Sequence, residues 1–157
     1  MTRINCVPPS ELHDKHLVAE YHELPRIYTL VRKAIARGME PKDFAAFNTY
    51  TMGSGHVKFF YTRLKWLAER QTLLVEEMLK RKMRPQSVRF EELFSGIRRS
   101  WFGDWTPDEA ALAVNRARIA ERLEEMKNKP KRKVIGYYEM LEQEKLEEKN
   151  EKAAVQC

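Results

Sequence analysis

The stretch VKFFYTRLKWLAERQTLLVEEM, residues 57–78, decides the fold class. Val57, Phe60, Tyr61, Leu64, Leu67, Ala68, Leu74, Val75 and Met78 recur at the spacing of one helical face over about six turns. Gly53-Ser54-Gly55 punctuates the start, and a basic run over residues 80–84 ahead of Pro85 marks the end. Phe59 is the off-stripe member of an aromatic trio that otherwise reads as core. Upstream, Leu17, Tyr21, Leu24, Tyr28, Val31 and Ile35 repeat the same period. Ser10 is the expected cap of that helix, Pro8 and Pro9 its extended lead-in, and Gly38 its stop. Pro25 removes a backbone donor inside the run and predicts a kink. Downstream, Thr106-Pro107-Asp108-Glu109 supplies a cap, a proline at the first helical position and a glutamate that completes a capping box. That helix is expected to run to about Asn128, ahead of Pro130. A short helix over residues 88–95, capped by Ser87, and an aromatic connection over residues 100–105 fill the interval. Residues 134–156 read as a terminal helix whose last dozen residues are too polar to bury and are expected to fray.

The expected fold is therefore all-α. It is a compact single domain of about three main helices, with short helices, irregular connections and a C-terminal basic/acidic extension. Its body covers residues 1–138, and residues 139–157 form an acidic tail, partly helical or frayed. At 157 residues and 18.6 kDa the chain suits one domain. Such a chain buries roughly 70% of its unfolded surface and needs no staples. Thirteen residues are Gly or Pro, a share below the roughly 12% of an average protein, which leaves little turn chemistry for an all-β fold. The two cysteines, Cys6 and Cys157, exclude a four-cysteine zinc site or an iron–sulfur cluster. No apolar stretch approaches the ~18 residues of a membrane span, and the N-terminus lacks the apolar core of a secretion signal. A soluble protein of a reducing compartment is expected, cytoplasmic or nucleoid-associated.

Net charge is +6, but residues 139–157 hold six Glu and three Lys, so residues 1–138 carry +9. A body of that charge suits a polyanion, because each neutralised phosphate releases counterions. Charge alone fits a merely soluble basic protein equally well.

The first helix carries a second face. Glu23 lies seven residues from His16, about 20° of rotation, and Glu20 and Arg26 flank it at about 60°. The bland reading of this polar stripe is a solvated face with a Glu–Arg pair worth a few tenths of a kcal/mol. Thr2 adds another group. A small second residue ordinarily permits loss of the initiator Met, and the exposed α-amine has a pKa of about 7.7–8.0. About a tenth of such an amine is neutral at pH 7, against well under a thousandth of a lysine. An amine attacking a sugar carbon gives an imine and needs an acid/base nearby. His56 lacks a second ligand at metal spacing, so capping or packing after Gly55 is its expected role.

Met1-Thr2-Arg3-Ile4-Asn5, Ser10-Glu11-Leu12 and His16-Leu17-x-Ala19-Glu20-Tyr21-x-Glu23-Leu24-Pro25-Arg26 closely resemble the phage-type pyrimidine-dimer DNA glycosylases. These enzymes, long called endonuclease V of phage, are unrelated to the deoxyinosine-specific enzyme of similar name. The resemblance continues through Gly53-x-Gly55-His56-Val57-x-Phe59-Phe60-Tyr61, Arg70-Gln71, Gly103-Asp104 and Ala117-Arg118, covering most of residues 1–123. It implies a bifunctional glycosylase and abasic-site lyase that acts on cyclobutane pyrimidine dimers in ultraviolet-damaged duplex DNA. It implies no metal and no organic cofactor, no obligate protein partner, no membrane, and a monomer. Carried over, Thr2 is the nucleophile and Glu23 the essential carboxylate. Arg3, His16 and Arg26 match positions at the lesion and its phosphates, and Arg118 and Arg122 match the basic DNA face. A surface ladder with Glu121 or Glu125 is the alternative reading of those last two. The family is also said to extrude the adenine opposite the lesion, which implies a cavity for one purine.

The chain departs from the family pattern in two places. His22 stands where the family typically has Arg, so one DNA contact is expected to be weaker or pH-dependent. Lys129-Pro130-Lys131-Arg132-Lys133-Val134-Ile135-Gly136-Tyr137-Tyr138 replaces the family's Trp-containing aromatic tail; Tyr137 and Tyr138 remain candidates for base stacking. Alternatives are a glycosylase/lyase for another damaged base or for abasic sites, and a non-catalytic basic DNA-binding protein of the same fold.

Overall fold

The computed structural model describes residues 3–86, 90–130 and 137–155. The all-α expectation holds: the described residues contain six α-helices and no strand beyond an isolated bridge between Arg63 and Phe102. In chain order they are α1 (Asp14–Ala36), α2 (His56–Phe59), α3 (Leu64–Lys80), α4 (Phe90–Phe94), α5 (Glu109–Asn128) and α6 (Tyr137–Val155). Three single 3-10 turns, Pro9–Glu11, Pro41–Phe44 and Arg99–Trp101, interrupt the connections. The chain divides into two compact units, the first ending at Leu123 and the second beginning at Glu124.

In the first unit α1 packs against α3. The predicted face of α1 is its buried one: Leu17, Tyr21, Leu24, Tyr28 and Val31 are all in the core, joined by Ile27 and Ala34. The helix runs unbroken across Pro25. Gly38 ends it as expected, at φ +80°, with Gly38 N–H donating to Ile35 C=O and Met39 N–H to Ala34 C=O. The start differs from the sequence expectation. Ser10 belongs to the 3-10 turn, and the cap is His13, whose Nδ1 accepts from Lys15 N–H at 3.1 Å. The two prolines build a separate turn that Arg81, at the end of α3, holds through the carbonyls of Pro9, Ser10 and Leu12.

The stripe over residues 57–78 is not one helix. It breaks at residues 60–63 into α2 and α3. Phe59, Phe60 and Tyr61 are all buried, and three consecutive residues at 100° each cannot share one helical face. The break lets all three face the core, and the off-stripe Phe59 is as buried as its neighbours. Backbone groups released at the break go elsewhere: Gly103 N–H donates to Thr62 C=O at 2.9 Å. A Cβ on Gly103 would lie 2.3 Å from that same carbonyl oxygen, so only glycine admits this approach. The loop thus pinned brings Trp105 against Phe59 and Trp66, with ring centroids 5.0 Å apart in each case, and stacks it on Tyr50.

The α5 start also shifts. Asp108, not Thr106, caps it: Asp108 Oδ1 accepts from Ala111 N–H at 2.8 Å, and the helix opens at Glu109. Asp108 takes the cap because its carboxylate reaches the Ala111 N–H three residues on, one of the donors left open at the helix start. The expected short helix over residues 88–95 is α4; Ser87, its expected cap, lies outside the described residues. In the second unit α6 is helical to Val155, past the point where fraying was expected. Residues 142–155 are exposed throughout, so its order comes from the helix's own ladder.

Candidate active site

Residues 3–7 form neither helix nor strand, yet every backbone amide from Ile4 to Val7 donates to a side chain. Ile4 N–H donates to His56 Nε2 at 2.9 Å, and Tyr50 Oη–H donates to Ile4 C=O at 2.8 Å. Asn5 N–H donates to Glu20 Oε1 at 2.8 Å. Cys6 and Val7 N–H both donate to Asn115 Oδ1, at 2.8 and 3.1 Å. Arg70 donates to Val7 C=O. Four elements therefore grip one arm: α1 through Glu20, α2 through His56, α3 through Arg70 and α5 through Asn115.

At the centre is an ion pair. Arg70 Nε lies 2.8 Å from Glu20 Oε2, with the two side chains 3% and 0% exposed. Asn5 Nδ2 also donates to Glu20 Oε1, and Asn115 Nδ2 to Asn5 Oδ1. Desolvating two charges costs several kcal/mol each, which only such dense hydrogen bonding offsets. Glu20 therefore leaves the solvated stripe in which the sequence reading put it. At about 60° from Glu23 it lies on the edge of the helix that turns inward, and Arg70 on α3 and the arm give it partners there.

Along the arm's outer side lies a cleft lined by Arg3, Asn5, His16, Ala19, Arg118, Ile119 and Arg122. It gathers four of the residues singled out from sequence, from three separate segments. Arg3 Nε is buried without a hydrogen-bond partner among the described residues. Arg118 is half-buried and pairs with Glu121 at 2.9 Å, so the surface-ladder contact and the cleft position coexist. His16 titrates below its ordinary range, first because of burial and then because of His13 and Arg122. It sits in the cleft as a neutral ring at neutral pH rather than as a cation.

Glu23 lies about two turns further along α1 than His16, on the same azimuth. Its carboxylate is half-buried and pairs with the exposed Arg26 at 3.2 Å. His22 is exposed, its ring edge-on to Tyr21 at 5.2 Å. Thr2 lies outside the described residues; so do residues 131–136, which hold most of the altered basic stretch. Burial pushes the Cys6 thiol up to about 11, so it stays protonated and is no competing nucleophile.

A family model described as pyrimidine dimer DNA glycosylase matches residues 1–90. The chain belongs to that family. The match contains Thr2, Arg3, His16, Glu23 and Arg26, together with three of the four elements that grip the arm. The fourth, α5, supplies Asn115, Arg118 and Arg122 from beyond the matched residues. As a DNA glycosylase of pyrimidine dimers the protein is a DNA-repair enzyme, and damaged DNA is what it must bind. Among the described residues no helix is long and apolar enough to cross a membrane.

Sequence reasoning missed the grip itself. His56 is neither cap nor simple packing: its Nδ1–H faces Thr51 C=O at 2.6 Å, which leaves Nε2 as the acceptor for Ile4. Asn115, mid-helix on α5, gives no sequence signal apart from being polar where the helix is buried. The Arg70-Gln71 pair was visible as a family motif but not as the partner of Glu20.

Proposed function

We propose that this chain excises cyclobutane pyrimidine dimers from ultraviolet-damaged duplex DNA and then nicks the abasic strand, with the Thr2 α-amine as nucleophile and Glu23 as acid/base. The amine lone pair bonds to C1′ of the dimer's 5′ nucleotide as the bond from C1′ to the base nitrogen breaks, its electron pair leaving with the base. Opening of the C1′–O4′ bond, with a proton taken up on O4′, leaves an imine between sugar and Thr2. Glu23 then removes a C2′ proton, the 3′ phosphate leaves by β-elimination, and water hydrolyses the imine to regenerate the amine. Glu23 also stabilises positive charge as it develops on the oxocarbenium-like sugar. An anion beside the amine favours its protonated form, so Glu23 is not what lowers its pKa; in this scheme the Arg3 charge or burial opposes that effect.

The observation that carries this reading is the cleft at the arm. Arg3, which is peptide-bonded to Thr2, shares it with His16, Arg118 and Arg122. Three guanidiniums converging beside a chain end suit a distorted phosphate backbone, because each makes charge-assisted and often bidentate contacts. The partnerless Arg3 Nε is one donor left for such a contact. Arg26 and His22 are both exposed on α1 and are the further proposed DNA contacts. A dimer is already poorly stacked, which lowers the few kcal/mol needed to displace a nucleotide. In this scheme the protein acts as a monomer, without metal, organic cofactor or obligate protein partner.

The test is borohydride trapping on two duplexes, one with a thymine dimer and one with an abasic site, followed by mass mapping of the adduct. An adduct on Thr2 with both duplexes is expected. Trapping on the abasic duplex alone reduces the protein to a lyase of other base preference. No adduct with either, from protein shown to have lost Met1, leaves a DNA-binding protein without this chemistry. Retained Met1 displaces the amine by about 3.8 Å and is expected to abolish trapping.

A further inference from the structure

We propose that His56 is a positioning residue for the N-terminal amine, holding the peptide between Arg3 and Ile4 so that the chain end meets the sugar. This rests on the amine reading above, and it assigns a task to the Gly53-x-Gly55-His56 motif that the chemistry itself leaves unused.

Among the described residues, His56 clamps the arm closer to the proposed reacting end than any other side chain that grips its backbone amides. Its Nε2 accepts from Ile4 N–H at 2.9 Å, and the neighbouring Tyr50 hydroxyl holds Ile4 C=O at 2.8 Å. Since a peptide unit is planar, fixing that N–H fixes the plane shared with Arg3. Few soft dihedrals then separate the clamp from the Thr2 nitrogen. The ring cannot rotate away: Nδ1–H is bonded to Thr51 C=O, and the Tyr50 and Phe60 rings each stand 5.5 Å from it. Gly55, at φ +86°, sets the turn that delivers His56; a Cβ there would meet the Phe47 ring at 2.8 Å. With 1% exposure His56 touches no DNA, so its influence reaches the chemistry only through the arm.

The clamp requires a neutral ring. A protonated Nε2 would point its hydrogen at the hydrogen of Ile4 N–H, and the bond would be lost. The charged and titratable groups facing this site are Arg3 from the arm and Tyr50 from the preceding loop, the latter itself faced by Cys6, Glu20 and Arg70. Burial first, and Arg3 in addition, depress His56 to about 4, against the Thr51 carbonyl. The clamp is thus closed at neutral pH and opens in acid.

The experiment compares full-length wild type, His56→Leu and His56→Gln. It measures single-turnover borohydride trapping on the abasic duplex, duplex affinity, and amide hydrogen exchange at Ile4. Leu removes the acceptor, whereas Gln can restore one at the Nε2 position without a titrating ring. Trapping by His56→Leu is expected to fall by about ten- to a hundredfold, as a misplacement of about 1 Å does. Its duplex affinity should stay within about twofold and Ile4 exchange should accelerate. His56→Gln should recover most of that loss, and the ratio of wild-type to Gln rates should be flat above about pH 6 and decline below it. A folded His56→Leu that traps at the wild-type rate overturns the proposal. Should the Leu variant not fold, a wild-type-to-Gln ratio that stays flat down to pH 4 overturns it instead. Wild type without a Thr2 adduct removes the underlying amine reading, before either variant is considered.

Discussion

Residues 3–7 and residues 137–155 both lie close to a chain end, and they are ordered by opposite means. The arm has no secondary structure of its own; side chains from four helices bind its backbone amides and carbonyls. Helix α6 satisfies its own backbone and exposes nearly everything else, including Leu146 at 60%. A helix needs only local hydrogen bonds, so α6 asks nothing of the rest of the chain. An irregular arm in a core must find a partner for every polar group from elsewhere, since each orphan costs about 1–3 kcal/mol. The difference suits their tasks. Under the proposed mechanism, an end that attacks a sugar carbon must be held to within a fraction of an ångström, whereas an acidic solvated end need not be held at all.

This contrast can be broken at several points. The largest effect is expected for Glu23→Gln, on the proposed catalytic carboxylate: turnover on dimer DNA falls by about 10³-fold or more, with damaged-DNA binding largely intact. A Gln variant that nicks near the wild-type rate would remove Glu23 from the mechanism. Next is the arm's anchor. Arg70→Ala leaves Glu20 buried and unpaired and should cost about 3–5 kcal/mol in chemical denaturation. A loss below about 1 kcal/mol would show that the arm is held by something other than this pair.

Acid is the third route. His56 titrates near 4 in the folded protein and near 6.5 unfolded, so between those values the unfolded chain binds the extra proton. Stability is therefore full above about pH 6.5 and is lost as pH falls toward 4, by about 3 kcal/mol from this group. His16, also depressed, adds loss of the same sign. A denaturation midpoint independent of pH over that window in wild type, or an equal slope in His56→Gln, would contradict the assignment. The smallest effect belongs to the other end. Leu146→Ala, on the exposed face of α6, should change stability by under about 0.5 kcal/mol. A larger loss would mean that α6 buries this side chain in solution, which would erase the contrast.

The same contrast explains what could be read in advance. The apolar face of α1 was legible because a period of 3.6 over nineteen residues, from Leu17 to Ile35, has few other readings. The break at residues 60–63 was not, because the same apolar residues satisfy a helical stripe and a turned aromatic cluster equally well until Gly103 is known to bond Thr62. Both shifted caps, His13 for Ser10 and Asp108 for Thr106, are local competitions between adjacent polar residues near prolines. In the site, Arg3, His16, Arg118 and Arg122 were named individually, and the structure brings them round one cleft. Glu20 looked like Glu23, being the same residue type one turn away. One is buried on Arg70 and the other pairs with exposed Arg26, and nothing in their local sequence separates them.

What the sequence determined by itself is the helical class and the family, and it is the sequence that nominates Thr2 and Glu23 as the proposed reacting groups. Helical periodicity is local, and a chemical motif carries its own residue types. What only the tertiary structure decided is which polar side chains turn inward to hold the arm: Glu20, Tyr50, His56, Arg70 and Asn115. Their partners lie 15 to 109 residues away. A buried hydrogen bond between such distant groups depends on helix packing, and no local pattern encodes it.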